Sequence, residues 1–303
     1  MENKLIRATE RVKSVDWHPT LPWLALGLHS GGIEVIETTT LEGPPLFHID
    51  IGHPVRAVRF IPRQNWLVAG ADDGRLHVYE CTSWTRVALI EAHADYIRSL
   101  DVHPTLPFVL SAGDDKLVKT WNWDREWTNE DTFAGHEHYV MSAKFHPRDP
   151  SAVVSGSLDC SLRVWKVGTE VPTQVVLNAH EKGVDCVGFV DAGIVTGADD
   201  TSIKLWDEKT LGFIRSFDGH RGNITALSSV SSKWLVSSSE DKTVRIWSLE
   251  TGKAVARLEE ESLGRAWTLT SRSTNVAVGF DCGFILIDVQ TSALEQAPSI
   301  SHL

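Results

Sequence analysis

Five histidines in this chain each precede an aspartate by twenty to twenty-three residues: His53 and Asp73, His93 and Asp115, His136 and Asp159, His180 and Asp200, His220 and Asp241. A histidine oriented by a carboxylate is the usual general base of acid–base and nucleophilic catalysis. Catalysis needs one such pair beside a nucleophile. Five copies at a matched offset describe an architectural device instead. Six residues after each aspartate stands an aromatic, Tyr79, Trp121, Trp165, Trp206 and Trp247, which strengthens that reading. The glycine-containing runs "VAGADDG" and "VTGADD" lack the spacing of a phosphate loop. No nucleophile or paired-carboxylate constellation stands apart from the repeats, so no enzyme is expected.

A second chemistry is written in "ERVKSV", where Arg11 and Lys13 stand two residues apart at a strand start. Alternate strand residues share a face, so both cations point the same way and could hold a compact anion. They do so in an acidic chain of 303 residues, with 29 Lys+Arg against 40 Asp+Glu and a net charge of −11. That balance argues against a nucleic-acid footprint.

The elements that position these residues repeat. Seven related strand starts, "RVKSVDWHP", "PVRAVRFIP", "YIRSLDVHP", "YVMSAKFHP", "GVDCVGFVD", "NITALSSVS" and "RAWTLTSRS", begin near residues 11, 54, 96, 139, 183, 223 and 265. Their second residues are separated by 43, 42, 43, 44, 40 and 42 positions. A four-stranded sheet of this size cannot bury both faces alone, so the units must stack around an axis. The expectation is an all-β protein, a single seven-bladed β-propeller over residues 1–303. The last unit supplies three strands, "AWTLTS", "NVAVGF" and "GFILIDV", and the N-terminal "KLIRAT" is expected to close it as the fourth.

The repeat also predicts a shared face, made of the first and third residues of each strand start and the residue before the turn aspartate. Blades one to three place Arg11, Lys13, Arg56 and Arg98 there, and blade seven Arg265. Blades five and six place Asp185, Asp199 and Glu240 there. Asp72 and Asp114 lie between, beside Tyr139. Such a face suits a bipolar ligand with an anion at one end and cations at the other. The alternative is mutual pairing, for instance of Arg98 with Asp114. It explains Arg11 and Lys13 less well, because no acid stands beside them in the set.

No apolar run reaches 18 residues and the N-terminus has no apolar signal core. Cys81, Cys160, Cys186 and Cys282 are scattered, with neither disulfide-framework nor zinc spacing, and read as small apolar fillers. A cytosolic protein with reduced thiols and no metal is expected.

The His, Asp and aromatic offsets resemble the WD-repeat family, whose blades each hold a buried hydrogen-bonded set of His, Asp, Ser or Thr, and Trp. Ser111 and Trp121 would complete the set with His93 and Asp115. Longer segments, "RVKSVDWHPTLPW", "NWLVAGADD", "EAHADYIRSLDVHPTLPFVLSAGDD", "WNWDREW", "GHEHYVM" and "HEKGV", resemble the N-terminal propellers of coatomer (COPI) beta-prime subunits, with alpha-subunit propellers as near relatives. His29 stands where beta-prime relatives commonly have Tyr and the alpha subunit has His. The resemblance implies a fragment of a longer, cytoplasmic subunit, peripheral on Golgi and COPI vesicle membranes through the coat. It implies partnership with other coatomer subunits, the alpha subunit among them, and no cofactor. It also implies recognition of C-terminal dilysine signals, Lys-Lys-x-x or Lys-x-Lys-x-x, on cargo tails bound from Golgi to endoplasmic reticulum. Carried over, Arg11, Lys13, His29 and Arg56 would meet the terminal carboxylate. Asp72, Asp114, Tyr139 and Asp199 would meet the lysines, with Arg98, Asp185, Glu240 and Arg265 in support. Two other readings stay open at this point: a scaffold that offers the face to a partner such as ubiquitin or a coat subunit, and an enzyme built on a propeller.

Overall fold

A computed structural model of the protein describes residues 4–39, 43–289 and 294. The chain forms seven four-stranded antiparallel sheets, an all-β, seven-bladed WD-repeat β-propeller. It divides into two compact units, residues 13–184 and residues 1–12 with 185–303.

In the first unit, blade two shows how sequence sets the layers. Its innermost strand, Val55–Ile61, buries Val55, Ala57, Val58 and Phe60 while Arg56 and Arg59 stay half-buried. The next strand, Trp66–Ala71, is buried along nearly its whole length, as a strand covered on both faces must be. The outermost strand, Arg86–Glu91, alternates half-buried and exposed residues at the rim. Neighbouring blades meet closely near their inner strands. A Cβ on Gly70 would lie 2.5 Å from Ile97 Cγ2 of blade three, so only glycine admits that approach.

Short polar side chains stitch the inner strands together. The Ser14 hydroxyl accepts from the Val58 amide at 3.0 Å and the Asp16 carboxylate from the Phe60 amide at 2.8 Å. Ser99 and Asp101 repeat this toward Ala143 and Phe145 at 3.2 and 2.9 Å. Burial raises the Asp16 pKa, and the Arg59 charge and the Phe60 amide only partly oppose it.

In the second unit, Lys4–Ala8 pairs antiparallel with Gly283–Asp288, from Lys4 opposite Ile287 to Ala8 opposite Gly283. The last sheet is therefore completed by the N-terminal strand, as the missing fourth strand required. Its three other strands, Ala266–Arg272, Asn275–Phe280 and Gly283–Asp288, fall on the segments that the sequence indicated.

The buried His–Asp sets are structural where complete. In blade three the His93 ring lies 2.8 Å from Asp115 through Nδ1 and 2.7 Å from the Ser111 hydroxyl through Nε2, and Trp121 Nε1 donates to that hydroxyl at 2.8 Å. Blade four repeats the arrangement with His136, Asp159, Ser155 and Trp165, and blade six with His220, Asp241, Ser237 and Trp247. Blade two departs from it. His53 is exposed, and Asp73 instead meets His77 Nε2 at 3.0 Å. Ala69 stands where the other blades place Ser111, Ser155 or Ser237, so no hydroxyl links the ring to the aromatic. The Tyr79 hydroxyl and His77 Nδ1 are buried without a protein partner.

No disulfide joins the cysteines. Cys81 and Cys186 are buried fillers as expected, whereas Cys282 is exposed, because the tight turn between the last two strands carries it outward. No helix among the described residues is long and apolar enough to cross a membrane.

Candidate functional site

The shared face is built by a backbone irregularity that repeats. In blades two, three, four, six and seven the pairing of the two innermost strands slips by one residue, at Arg56, Arg98, Met141, Thr225 and Trp267 respectively. A bulge of this kind re-aims one side chain out of the pleat. The strand pair is then closed by one further hydrogen bond, from the Asp72 amide to the Pro54 carbonyl, from Asp114 to Tyr96 and from Leu158 to Tyr139, each 2.9–3.0 Å. Gly113 permits this closure in blade three, since a Cβ there would lie 2.5 Å from the Tyr96 carbonyl oxygen.

In the four-blade unit this frame brings each arginine onto the acid sixteen residues later. Arg98 donates from Nε and Nη2 to the two oxygens of Asp114 at 2.7 and 2.6 Å. Arg56 forms the same fork with Asp72, with Nη2 2.7 Å from Oδ2 and Nε bonded to Oδ1. Burial alone would lower the Arg98 pKa, but hydrogen bonds to Asp114, its charge and that of Asp72 raise it on balance. Tyr96 lies between the forks, its ring 5.3 Å from the Arg56 guanidinium and 5.8 Å from that of Arg98. Tyr139 continues the row, 5.9 Å from Arg98. Fork, ring, fork, ring therefore form one continuous band. Lys13 is half-buried and His29 exposed on blade one.

This corrects the segregated face that the sequence suggested. In blades two and three the cations are not a pole apart from the acids: they hold the acids by mutual pairing. Blade four breaks the series, with half-buried Met141 and Leu158 at the two corners.

The three-blade unit carries a related arrangement. Arg11 Nε lies 2.8 Å from Asp281 Oδ1, so the expectation that no acid stands beside it is also corrected. Asp281 further accepts from Trp267 Nε1 at 2.8 Å and the Arg265 amide at 3.0 Å. Burial acts to raise its pKa, and these hydrogen bonds with the Arg11 charge bring it below the usual value. The Trp267 ring lies 5.4 Å from the Arg11 guanidinium and 5.9 Å from that of Arg265, which pairs with Glu240 at 3.4 Å. Asp185 and Asp199 are half-buried. Phe280, the blade-seven residue just before Asp281, is buried at 1% exposure because it packs into the core of the last blade.

Tyr96 and Trp267 fall on the face that the repeat predicts but have no role in the expected site, and Asp281 is not expected there at all. Tyr96 and Trp267 were signalled by their positions in the strand starts. Asp281 was hidden because it occupies the turn slot that the other blades use architecturally. Among the described residues no cluster of His, Cys, Asp and Glu could hold a metal.

Comparison with known proteins gives a consistent neighbourhood. The WD domain, G-beta repeat model matches residues 127–166, 171–207 and 212–248, and the WDR54 model matches residues 37–145. The chain is 39% identical to the coatomer subunit beta' of Rattus norvegicus over 95% of its own length and 32% of that protein. It is 39% identical to the probable coatomer subunit beta' of Schizosaccharomyces pombe, over 94% of this chain and 36% of that one. The Arabidopsis thaliana coatomer subunit beta'-2 is 39% identical over 75% of this chain and 25% of its own length. The chain thus spans about a third or less of the length of these relatives.

Proposed function

This chain is a WD-repeat propeller related along its length to coatomer beta-prime subunits, and on that premise we propose that it is a non-catalytic COPI coat domain that reads C-terminal dilysine tails of membrane cargo. The ligand is a peptide ending Lys-Lys-x-x or Lys-x-Lys-x-x with a free carboxylate. In the cell this reading puts the domain on the cytoplasmic side of Golgi and COPI vesicle membranes, held there through other coatomer subunits, including alpha, and serving Golgi-to-ER retrieval.

The observation that carries the reading is the banded pair of forks. A guanidinium has five N–H donors and a carboxylate about four acceptor sites. Each fork uses two of each. Arg56 therefore keeps donors for an incoming carboxylate, while Asp72 and Asp114 keep acceptor positions for ammonium groups, their orientation already fixed. Lys13 and His29 extend the carboxylate side, and Tyr139 offers a ring face to a cation. Arg11 and Asp199 take the same roles by carry-over, with Arg98, Asp185, Glu240 and Arg265 in support.

Exposed ion pairs each contribute only about 0.2–1 kcal/mol. Hydrogen bonds to charged groups contribute about 1.5–3 kcal/mol each, so a few of them together with the ion pairs reach micromolar affinity, about −8 kcal/mol, and avidity on a coated membrane adds the rest. The test is calorimetric titration with a free-acid dilysine peptide and its C-terminally amidated twin. The free acid should bind at micromolar concentration and the amide at least about tenfold more weakly. Equal affinity, or no binding of either, overturns the reading. Lys13→Ala should weaken the free acid alone, with an unchanged melting temperature.

A further inference from the structure

We infer that Met141 and Leu158 form an apolar subsite that selects a hydrophobic side chain N-terminal to the cargo lysine, an inference that rests on the dilysine reading. In blades two and three the bulged residue and the residue closing the strand pair are Arg56 with Asp72 and Arg98 with Asp114. Blade four keeps the same backbone. Its register slips at Met141, and the Leu158 amide bonds to the Tyr139 carbonyl at 3.0 Å. The two corners that hold a charged fork elsewhere are therefore a thioether and an isobutyl group. Both are half-buried, so each still presents apolar surface to solvent.

The neighbourhood fixes what this break can accept. On the blade-three side stand Tyr139 and the Arg98 guanidinium, 5.9 Å apart. No carboxylate occupies the blade-four corner, so a ligand ammonium there would lose water without gaining a counter-charge. An apolar side chain would instead cover Met141, Leu158 and the Tyr139 ring, and methionine adapts readily to varied shapes. A lysine bound at Asp114 would thus be followed, going upstream, by a hydrophobic residue.

The distance along the peptide follows from the band. Arg56 and Arg98 lie 5.3 and 5.8 Å from the same Tyr96 ring, so one blade step is at most about 11 Å, or about three residues of extended chain. The preferred hydrophobic residue therefore lies no more than about three positions before that lysine.

The experiment uses free-acid peptides with serine at every upstream position, and versions with one leucine two, three or four residues before the lysine. The unmodified protein should bind the leucine peptide about fivefold more tightly at its best position, the effect of partly burying one such side chain. Met141→Arg combined with Leu158→Asp rebuilds the fork of the neighbouring blades. It should abolish the leucine preference while keeping affinity for the serine peptide. Leu158→Ser alone, a milder change, should reduce the preference. Absence of any leucine effect, or its persistence in the rebuilt-fork variant, overturns the subsite while serine-peptide binding upholds the dilysine reading. Failure of the serine peptide to bind at all overturns both.

Discussion

Blades two and three carry the same charged fork at one end and differ in the interior of the sheet. Blade three runs His93, Ser111 and Trp121 together on Asp115. Blade two keeps the turn aspartate but meets it with His77 from the third strand, while Ala69 removes the hydroxyl and Tyr79 replaces tryptophan. The difference teaches that both of these blades keep an anchored turn aspartate, whereas the chain of groups leading to it is replaceable. The forks, by contrast, are reproduced closely, each with its acid almost covered by the arginine that holds it.

The largest expected effect tests the shared part. Arg98→Ala would leave Asp114, whose side chain is only 3% exposed, without its partner, and should cost about 3–5 kcal/mol in urea unfolding. Arg56→Ala should cost less, because Asp72 is 10% exposed and more water can reach it. Equal costs would break the ordering.

Next comes the part that differs. Ser111→Ala removes the hydroxyl shared by His93 and Trp121 and should destabilise by about 2–4 kcal/mol. Ala69→Ser adds a hydroxyl to a sheet already built without one and should change stability by less than about 1 kcal/mol. A large gain from Ala69→Ser would mean that blade two is an incomplete copy of blade three.

A smaller effect comes from pH. Burial lowers the pKa of His77, His136 and His220 below the ordinary 6.5, the aspartate partners only partly opposing it. The unfolded chain therefore takes up protons first as pH falls beneath about 6.5, so stability present at neutral pH is lost on acidification. Asp115 adds to the loss at lower pH: burial acts to raise its pKa, but His93 and backbone donors leave it lowered, so its contribution disappears as pH falls below about 3.8. Melting temperature measured from pH 7.5 to 5 should decline, and a rise would contradict the buried neutral histidines. The smallest effect is at His53, which is exposed and whose replacement by alanine should stay within about 0.5 kcal/mol.

Much of this was legible in the sequence because it repeats. A period near 43 residues aligned the blades, and alignment identified the positions of Arg56, Asp72, Arg98 and Asp114 without coordinates. His53 shows where that method fails. Its Gly-His setting matches the other units, but Ala69 offers no hydroxyl where its ring would need one, and His77 reaches the same aspartate. Arg11 shows a second failure, since its acid, Asp281, sits far away in sequence, in the turn slot of another blade.

By itself, then, the amino-acid order determined the number of blades, the closure of the last one by Lys4–Ala8 and the residue type at each corner of the face. Those follow from local periodicity, which every repeat reports independently. Only the tertiary structure decided which charges hold which. A one-residue bulge re-aims the arginine, and strand pairing brings in an acid sixteen residues away. Partner choice depends on directions and distances of an ångström or two, and a pattern of residue types does not contain them.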